Sequence, residues 1–193
     1  MRRFVIVAHR VPADGDFSLN DLCGSGGRVD VLSRAVSASF LLSNSIRSDV
    51  EARLVINTEP RYPRLIRFDS SRLRFLNADE RSTAALIRNA LSRCTKDGEI
   101  ESSPGVFVSR AGLVEALSDL ENAILLEEGA DEPDWRALKD ATFVLSDDQN
   151  FTPKETERIL GTVHQKAGLG ERILHTDHCI AAVNHLLDKA EKG

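Results

Sequence analysis

Arg3-Phe4-Val5-Ile6-Val7-Ala8-His9 holds five apolar residues in a row with no polar residue between them. A strand with one wet face alternates apolar and polar positions. An unbroken apolar run reads instead as a strand buried on both faces, the condition of inner strands in a parallel sheet. Helix and strand signals alternate along the rest of the chain. A polar loop from Pro12 to Cys23 enters the Gly-rich turn Cys23-Gly24-Ser25-Gly26-Gly27-Arg28-Val29-Asp30. Over residues 28–43, Val29, Leu32, Ala35, Val36, Ser39 and Phe40 then recur at helical spacing.

Residues 51–57 and 64–69 read as strands, separated by the turn-prone Glu59-Pro60-Arg61-Tyr62-Pro63. Asp79 is placed to cap a helix reaching about Ser92. Residues 105–109 read as a short strand and 112–126 as a helix, and the acidic stretch 127–134 as a surface excursion. Strands are expected at 141–145 and 167–169. Helices are expected at 153–160, opening on Pro153, and from Asp177 as the cap to Lys189. Such alternation predicts one α/β domain over residues 1–193 with a mostly parallel sheet.

Composition narrows the class. With 41% hydrophobic and 28% charged residues, the chain is of ordinary globular type. No apolar run approaches the roughly 18 residues of a membrane span, and the first apolar run is too short for a signal-peptide core. Cys23, Cys94 and Cys179 are widely spaced and odd in number, which fits reduced thiols in a cytoplasm. The net charge of −5 divides unevenly, +6 over residues 1–96 and −11 over residues 97–193. Fifteen of the sixteen cations in the first part are arginines. Arginine forks pair bidentately with phosphate, so this half is the candidate RNA-facing side.

In open α/β sheets ligands sit beyond the carboxyl ends of strands. Two such loops stand out, Ser146-Asp147-Asp148-Gln149-Asn150 and Gly170-Glu171-Arg172-Ile173-Leu174. Neither cradles a nucleotide phosphate. A G-x-x-x-x-G-K-[ST] motif is missing, and Val29 stands where the third glycine of G-x-G-x-x-G belongs. His175, His178 and Cys179 lack a fourth group at zinc-site spacing, so no metal is expected. Cys179, with no assignable histidine partner, reads as a small pocket-lining residue rather than a nucleophile.

Arg–Asp pairs are the remaining chemistry. Arg28 and Asp30 stand at a helix start, where free amides favour anions. Arg67 and Asp69 flank Phe68 on a strand, so both point to one face and Phe68 to the other, toward the core. Each pair suits either a structural ion pair or a site for an anionic substrate.

These residues also carry a resemblance. The runs Asp21-Leu22-Cys23-Gly24-Ser25-Gly26-Gly27-Arg28-Val29-Asp30-Val31-Leu32, Ser45-Ile46-Arg47-Ser48-Asp49-Val50 and Ile66-Arg67-Phe68-Asp69 resemble those of the archaeal tRNA pseudouridine N1-methyltransferases. So do Leu76-Asn77-Ala78-Asp79-Glu80-Arg81, Ser103-Pro104-Gly105-Val106-Phe107-Val108, Phe143-Val144-Leu145-Ser146-Asp147 and Leu174-His175-Thr176-Asp177-His178-Cys179. The matches run in order along nearly the whole chain. The resemblance implies a SPOUT-type α/β knot, with a C-terminal deep trefoil knot, S-adenosylmethionine bound in it and a homodimer packed through it. Carried over by position, the cofactor would meet Leu145, Ser146, Leu169, Gly170, Ile173, Leu174 and Cys179. Family members often carry Gly where Ser146 stands and His where Asp148 stands.

The implied activity is methyl transfer to N1 of pseudouridine 54 in the TΨC loop of tRNA. Methylation there requires loss of the N1 proton. Asp30 and Asp69 are the candidate acceptors or relays. Arg28 and Arg67 are the candidate substrate-binding groups, and Tyr62 is a candidate for stacking a base. A ribosomal-RNA pseudouridine as substrate, or a non-catalytic RNA-binding protein of the same fold, are the alternatives.

Overall fold

The opening apolar run becomes an inner strand of an eight-stranded sheet. In the computed structural model, which describes residues 1–58, 63–95, 98–120 and 122–191, strand β1 (Arg2–Ala8) lies between β2 (Val50–Ile56) and β7 (Thr142–Ser146), parallel to both. Its side chains alternate between two cores. Phe4, Ile6 and Ala8 face α1 (Val29–Phe40), α2 (Glu80–Arg93) and α5 (Thr176–Ala190), whereas Val5 and Val7 face α3 (Leu113–Leu117) and α4 (Pro153–Leu160). Helices on both faces explain why no polar residue interrupts the run.

The sheet order is β4-β5-β3-β2-β1-β7-β6-β8, with β3 at Arg64–Asp69, β4 at Ile100–Ser103, β5 at Val106–Ser109, β6 at Ala123–Leu126 and β8 at Gln165–Ala167. Strands β2, β1, β7, β6 and β8 form a parallel block, while β3, β5 and β4 join it antiparallel. The expected α/β class with a mostly parallel sheet is therefore observed.

The expected helix over 112–126 is corrected. It stops at Leu117, Asn122 takes a left-handed φ of 53°, and Ala123–Leu126 forms β6 between β7 and β8. Ala-Ile-Leu-Leu is ambiguous by periodicity, and burial between two strands decides it. The last short strand lies at 165–167 rather than 167–169. Asp79 caps α2 through the Ser82 amide as expected. In α5 the cap position is His175, without a side-chain bond, and Asp177 sits inside the first turn. The turn 59–63 and Tyr62 fall, apart from Pro63, outside the described residues.

The chain's beginning and its last helix are fastened together. The Arg2 guanidinium, buried, bonds the Asn184 side chain at 3.2 Å and Asp188 at 2.8 Å on α5, and Glu191 just past its end at 3.3 Å. Arg47 reaches the same Asp188 at 2.6 Å. Among the described residues no helix is long and apolar enough to cross a membrane.

Candidate active site

A cleft of about 720 Å³ opens beyond the carboxyl ends of β6, β7 and β8. That is where open α/β sheets place ligands, and the size is typical of a cofactor site. All seven residues carried over as cofactor contacts, Leu145, Ser146, Leu169, Gly170, Ile173, Leu174 and Cys179, line it. Thr176 donates to the carbonyls of Ser146 at 2.8 Å and Asp147 at 3.1 Å, so the start of α5 is tied to the end of β7. Gly170 has φ 97°, and nothing lies within 4 Å of where a Cβ would stand, so its backbone faces open space. Burial and neighbouring Asp177 push the Cys179 thiol up to about 11, which keeps it protonated and suits a lining residue, not a nucleophile.

The opposite wall is charged. Arg28 holds Asp30 with two bonds, Nε to Oδ1 at 3.0 Å and Nη2 to Oδ2 at 3.1 Å. Arg34, one turn further on, bonds Asp30 at 3.0 Å and Glu80 at 3.2 Å and approaches Asp177 at 3.7 Å. Burial by itself would raise the Asp30 pKa, but the bonds from Arg28 and Arg34 outweigh it and bring it to about 2. Asp148 meets Arg10 and, at 3.5 Å, Arg28, lacing the loop after β1 to the loop after β7. One oxygen of Asp177, Oδ1, is buried without a hydrogen-bond partner among the described residues. Asp177 is among the residues lining the cleft.

The Gly-rich turn exists to shape this wall. Arg28 itself has φ 69°, a left-handed conformation costly for a side chain with a Cβ. Gly27 has φ 55°, and a Cβ there would lie 2.0 Å from the Arg10 carbonyl oxygen. Upstream, the Asp21 carboxylate accepts the amides of Gly24 at 3.0 Å and Ser25 at 2.8 Å.

Arg67 and Asp69 are not brought to the cleft. Register aligns Asp69 with Glu51 and Arg3, whereas Ser146 aligns with Val7. Four residues along the strands and three strands across separate them, roughly 13 Å and 14 Å. Arg67 bonds Glu99 at 2.6 Å and lies over the Phe107 ring at 4.1 Å, and Asp69 accepts the Ser71 amide at 2.9 Å. Phe68 points the other way and is fully buried, as its alternation requires.

Several residues of the site were not singled out by the sequence. Arg34 had a readable signal, four positions from Asp30 on one helix face. His9 did not. Its ring bonds Asp147 at 2.8 Å and Glu155 at 3.0 Å beneath the cleft. The Asp147 bond, against opposing burial and with help from Glu155, raises its pKa from 6.5 to about 9, so the ring is charged at neutral pH. Stability from this pair of contacts is complete below pH 6.5 and disappears as pH rises through about 9. The expected loss is about 1–2 kcal/mol after solvent screening. Thermal melts from pH 7 to 10 should fall more steeply for the wild type than for His9→Gln, and parallel curves would refute the assignment.

Comparison with known proteins decides the lineage. A family model described as "Putative SAM-dependent RNA methyltransferase" matches residues 1–192. The chain belongs to this family. It is 42% identical over 191 residues to the tRNA (pseudouridine(54)-N(1))-methyltransferase of Methanocella arvoryzae, covering 98% of this chain and 100% of that one. The protein of the same name from Haloferax volcanii is 43% identical, with 98% of each chain covered. Among solved structures, Archaeoglobus fulgidus Nep1 bound to S-adenosylhomocysteine shares the fold, with a TM-score of 0.64 at 12% identity over 99% of each chain.

Proposed function

We propose that this chain transfers the methyl group of S-adenosylmethionine to N1 of pseudouridine 54 in the TΨC loop of tRNA. Identity of 42% over essentially the full length to a protein named for that reaction carries the reading. The cleft supports it through its apolar wall, its exposed Gly170 backbone and the open acceptor on Asp177. S-adenosylmethionine, when bound, supplies an electrophilic methyl on a sulfonium leaving group. Leu145, Leu169, Ile173, Leu174 and Cys179 would hold its apolar parts, with the Ser146 and Gly170 backbones alongside.

The protein's own work is alignment and charge placement. Arg28, fixed by Asp30, is the group we assign to the negative charge that grows on the base as N1 loses its proton. A carboxylate with a pKa of about 2 is a weak base. Asp30 is therefore assigned to orienting Arg28 and Arg34, with the proton leaving to water held by the cleft carboxylates. Arg67 and Asp69, bound up with Glu99 and Ser71, take no part in this reading. The proposal includes a C-terminal trefoil knot and a homodimer packed through it, in line with the Nep1-like fold and with Ile173, 75% exposed at the cleft rim.

Two tRNA transcripts test the reaction, one with uridine and one with pseudouridine at position 54, each incubated with labelled cofactor. Methyl is expected on the pseudouridine transcript alone, as 1-methylpseudouridine in the nucleoside digest. Cofactor binding with label on neither transcript would overturn the tRNA assignment.

A further inference from the structure

Residues 70–79 join β3 to α2 and are pinned from several sides. Leu73 and Leu76 are buried in the main core. The Leu73 amide bonds the Asp69 carbonyl at 2.9 Å, and a Cβ on Gly105 would lie 2.3 Å from the Leu73 nitrogen, so the two backbones are in direct contact. At the far end Asp79 accepts the Ser82 amide at 2.8 Å. With both leucines turned inward, Phe75 between them is driven outward and stands 64% exposed. A single exposed apolar residue is unremarkable on a surface. A ring held in water by a fixed backbone, with Arg74 next to it in the chain and Arg81 six residues on at the start of α2, is not.

Most cations of the arginine-rich half are paired. Arg28, Arg34, Arg47, Arg53 and Arg67 all spend their guanidiniums on carboxylates. Arg74, the chain neighbour of Phe75, and Arg81 and Arg88 on α2 make no side-chain hydrogen bond or ion pair among the described residues. Arg81 and Arg88 stand seven positions apart, two turns along one helix face. The start of α2 adjoins the cleft, because Glu80, its first residue, bonds Arg34 on the cleft wall at 3.2 Å.

We propose that Phe75 is a stacking platform for an unpaired base of the RNA substrate, with Arg74, Arg81 and Arg88 receiving the phosphates around it. The inference rests on the reading that this chain acts on RNA. Every base presents a π-face to such a ring, and arginine forks match phosphate. An apolar protein partner would instead strand those guanidiniums against a surface that cannot pair them.

The test uses the full chain and the pseudouridine-containing tRNA transcript. Phe75→Ala is expected to weaken transcript binding about tenfold, with S-adenosylhomocysteine affinity and sedimentation mass unchanged. Phe75→Trp should restore binding, and its added fluorescence should be quenched as RNA is titrated in. Arg74→Gln, Arg81→Gln and Arg88→Gln together should flatten the dependence of log affinity on log salt by about 2. Unchanged binding in both the alanine and the triple variant would overturn the platform, as would a change of mass in Phe75→Ala, which would mark the ring as a contact between copies. If the wild type methylates the transcript while Phe75→Ala binds it equally, the platform falls alone. If the wild type neither binds nor methylates it, the proposed function falls and the platform with it.

Discussion

Asp30→Ala is expected to lower methyl transfer at least a hundredfold while S-adenosylhomocysteine binding changes less than about threefold, because a catalytic group displaced by even 1 Å costs a factor of that order. Asp30 is the shared anchor of Arg28 and Arg34, bonding each at 3.0 Å. Arg28 is already held in a left-handed backbone conformation with φ 69°. Once the carboxylate is gone, the competing partner for Arg28 is Asp148, at 3.5 Å, and the guanidinium swings toward it and away from the base. Asp30→Asn should recover part of the geometry and little of the rate, since the amide cannot take both forks. Asp69→Asn is the control. Its oxygen can still accept from Ser71, it lies at the other end of the sheet, and turnover should stay within about threefold of wild type. Equal losses in Asp30→Ala and Asp69→Asn would show that the two pairs act together after all.

Gly27→Ala should be the most destabilising single-methyl change in the cleft loops. The new Cβ would lie 2.0 Å from the Arg10 carbonyl oxygen, with backbone on both sides and no flexible side-chain end to yield. The left-handed φ adds its own cost of about 1 kcal/mol. We expect a total above about 3 kcal/mol, a fall in Tm of roughly 6–12 °C for a chain of this size. Gly129 supplies the comparison. It also has a left-handed φ, 74°, but nothing lies within 4 Å of its Cβ position. Gly129→Ala therefore carries the conformational cost alone, about 1 kcal/mol. If the two variants melt together, the contact with Arg10 is not what Gly27 is there to permit. Gly27→Ala should also slow methyl transfer in whatever fraction stays folded, because the displaced turn carries Arg28.

The arrangement of these parts was unevenly legible in the sequence. Phe4-Val5-Ile6-Val7-Ala8 announced an inner strand because burial on two faces erases alternation. Asp79 and Pro153 announced helix starts because the chemistry of a first turn is local. Ala123–Leu126 was not legible. Four apolar residues suit either a helix end or a buried strand, and only pairing with Thr142–Val144 and Gln165–Ala167 selects one. The site divides along the same line. The seven residues proposed to meet the cofactor came through a family resemblance spanning ordered motifs, and all seven line the cleft. The Arg–Asp pairs were visible as residue types, but their separation depends on β3 running antiparallel, a register fact with no local signature. His9 needed two partners more than 130 positions away, Asp147 and Glu155, before its charge meant anything.

The fastening of Arg2 to Asn184, Asp188 and Glu191 has a consequence for how the molecule is made. Strand β1 leaves the ribosome first, yet its neighbour β7 and the helix that neutralises Arg2 are translated more than a hundred residues later. At about 5–20 residues per second the apolar run and its buried arginine wait on the order of ten seconds or more for partners. Pairings of such long sequence separation also close slowly. The nascent chain can dock β2, β3 and α1 against β1 during that interval, but not the loops that begin at Ser146 and end at Thr176. The cleft is thus the last region to come into being, and a chain stalled before β7 would present β1 with one edge bare.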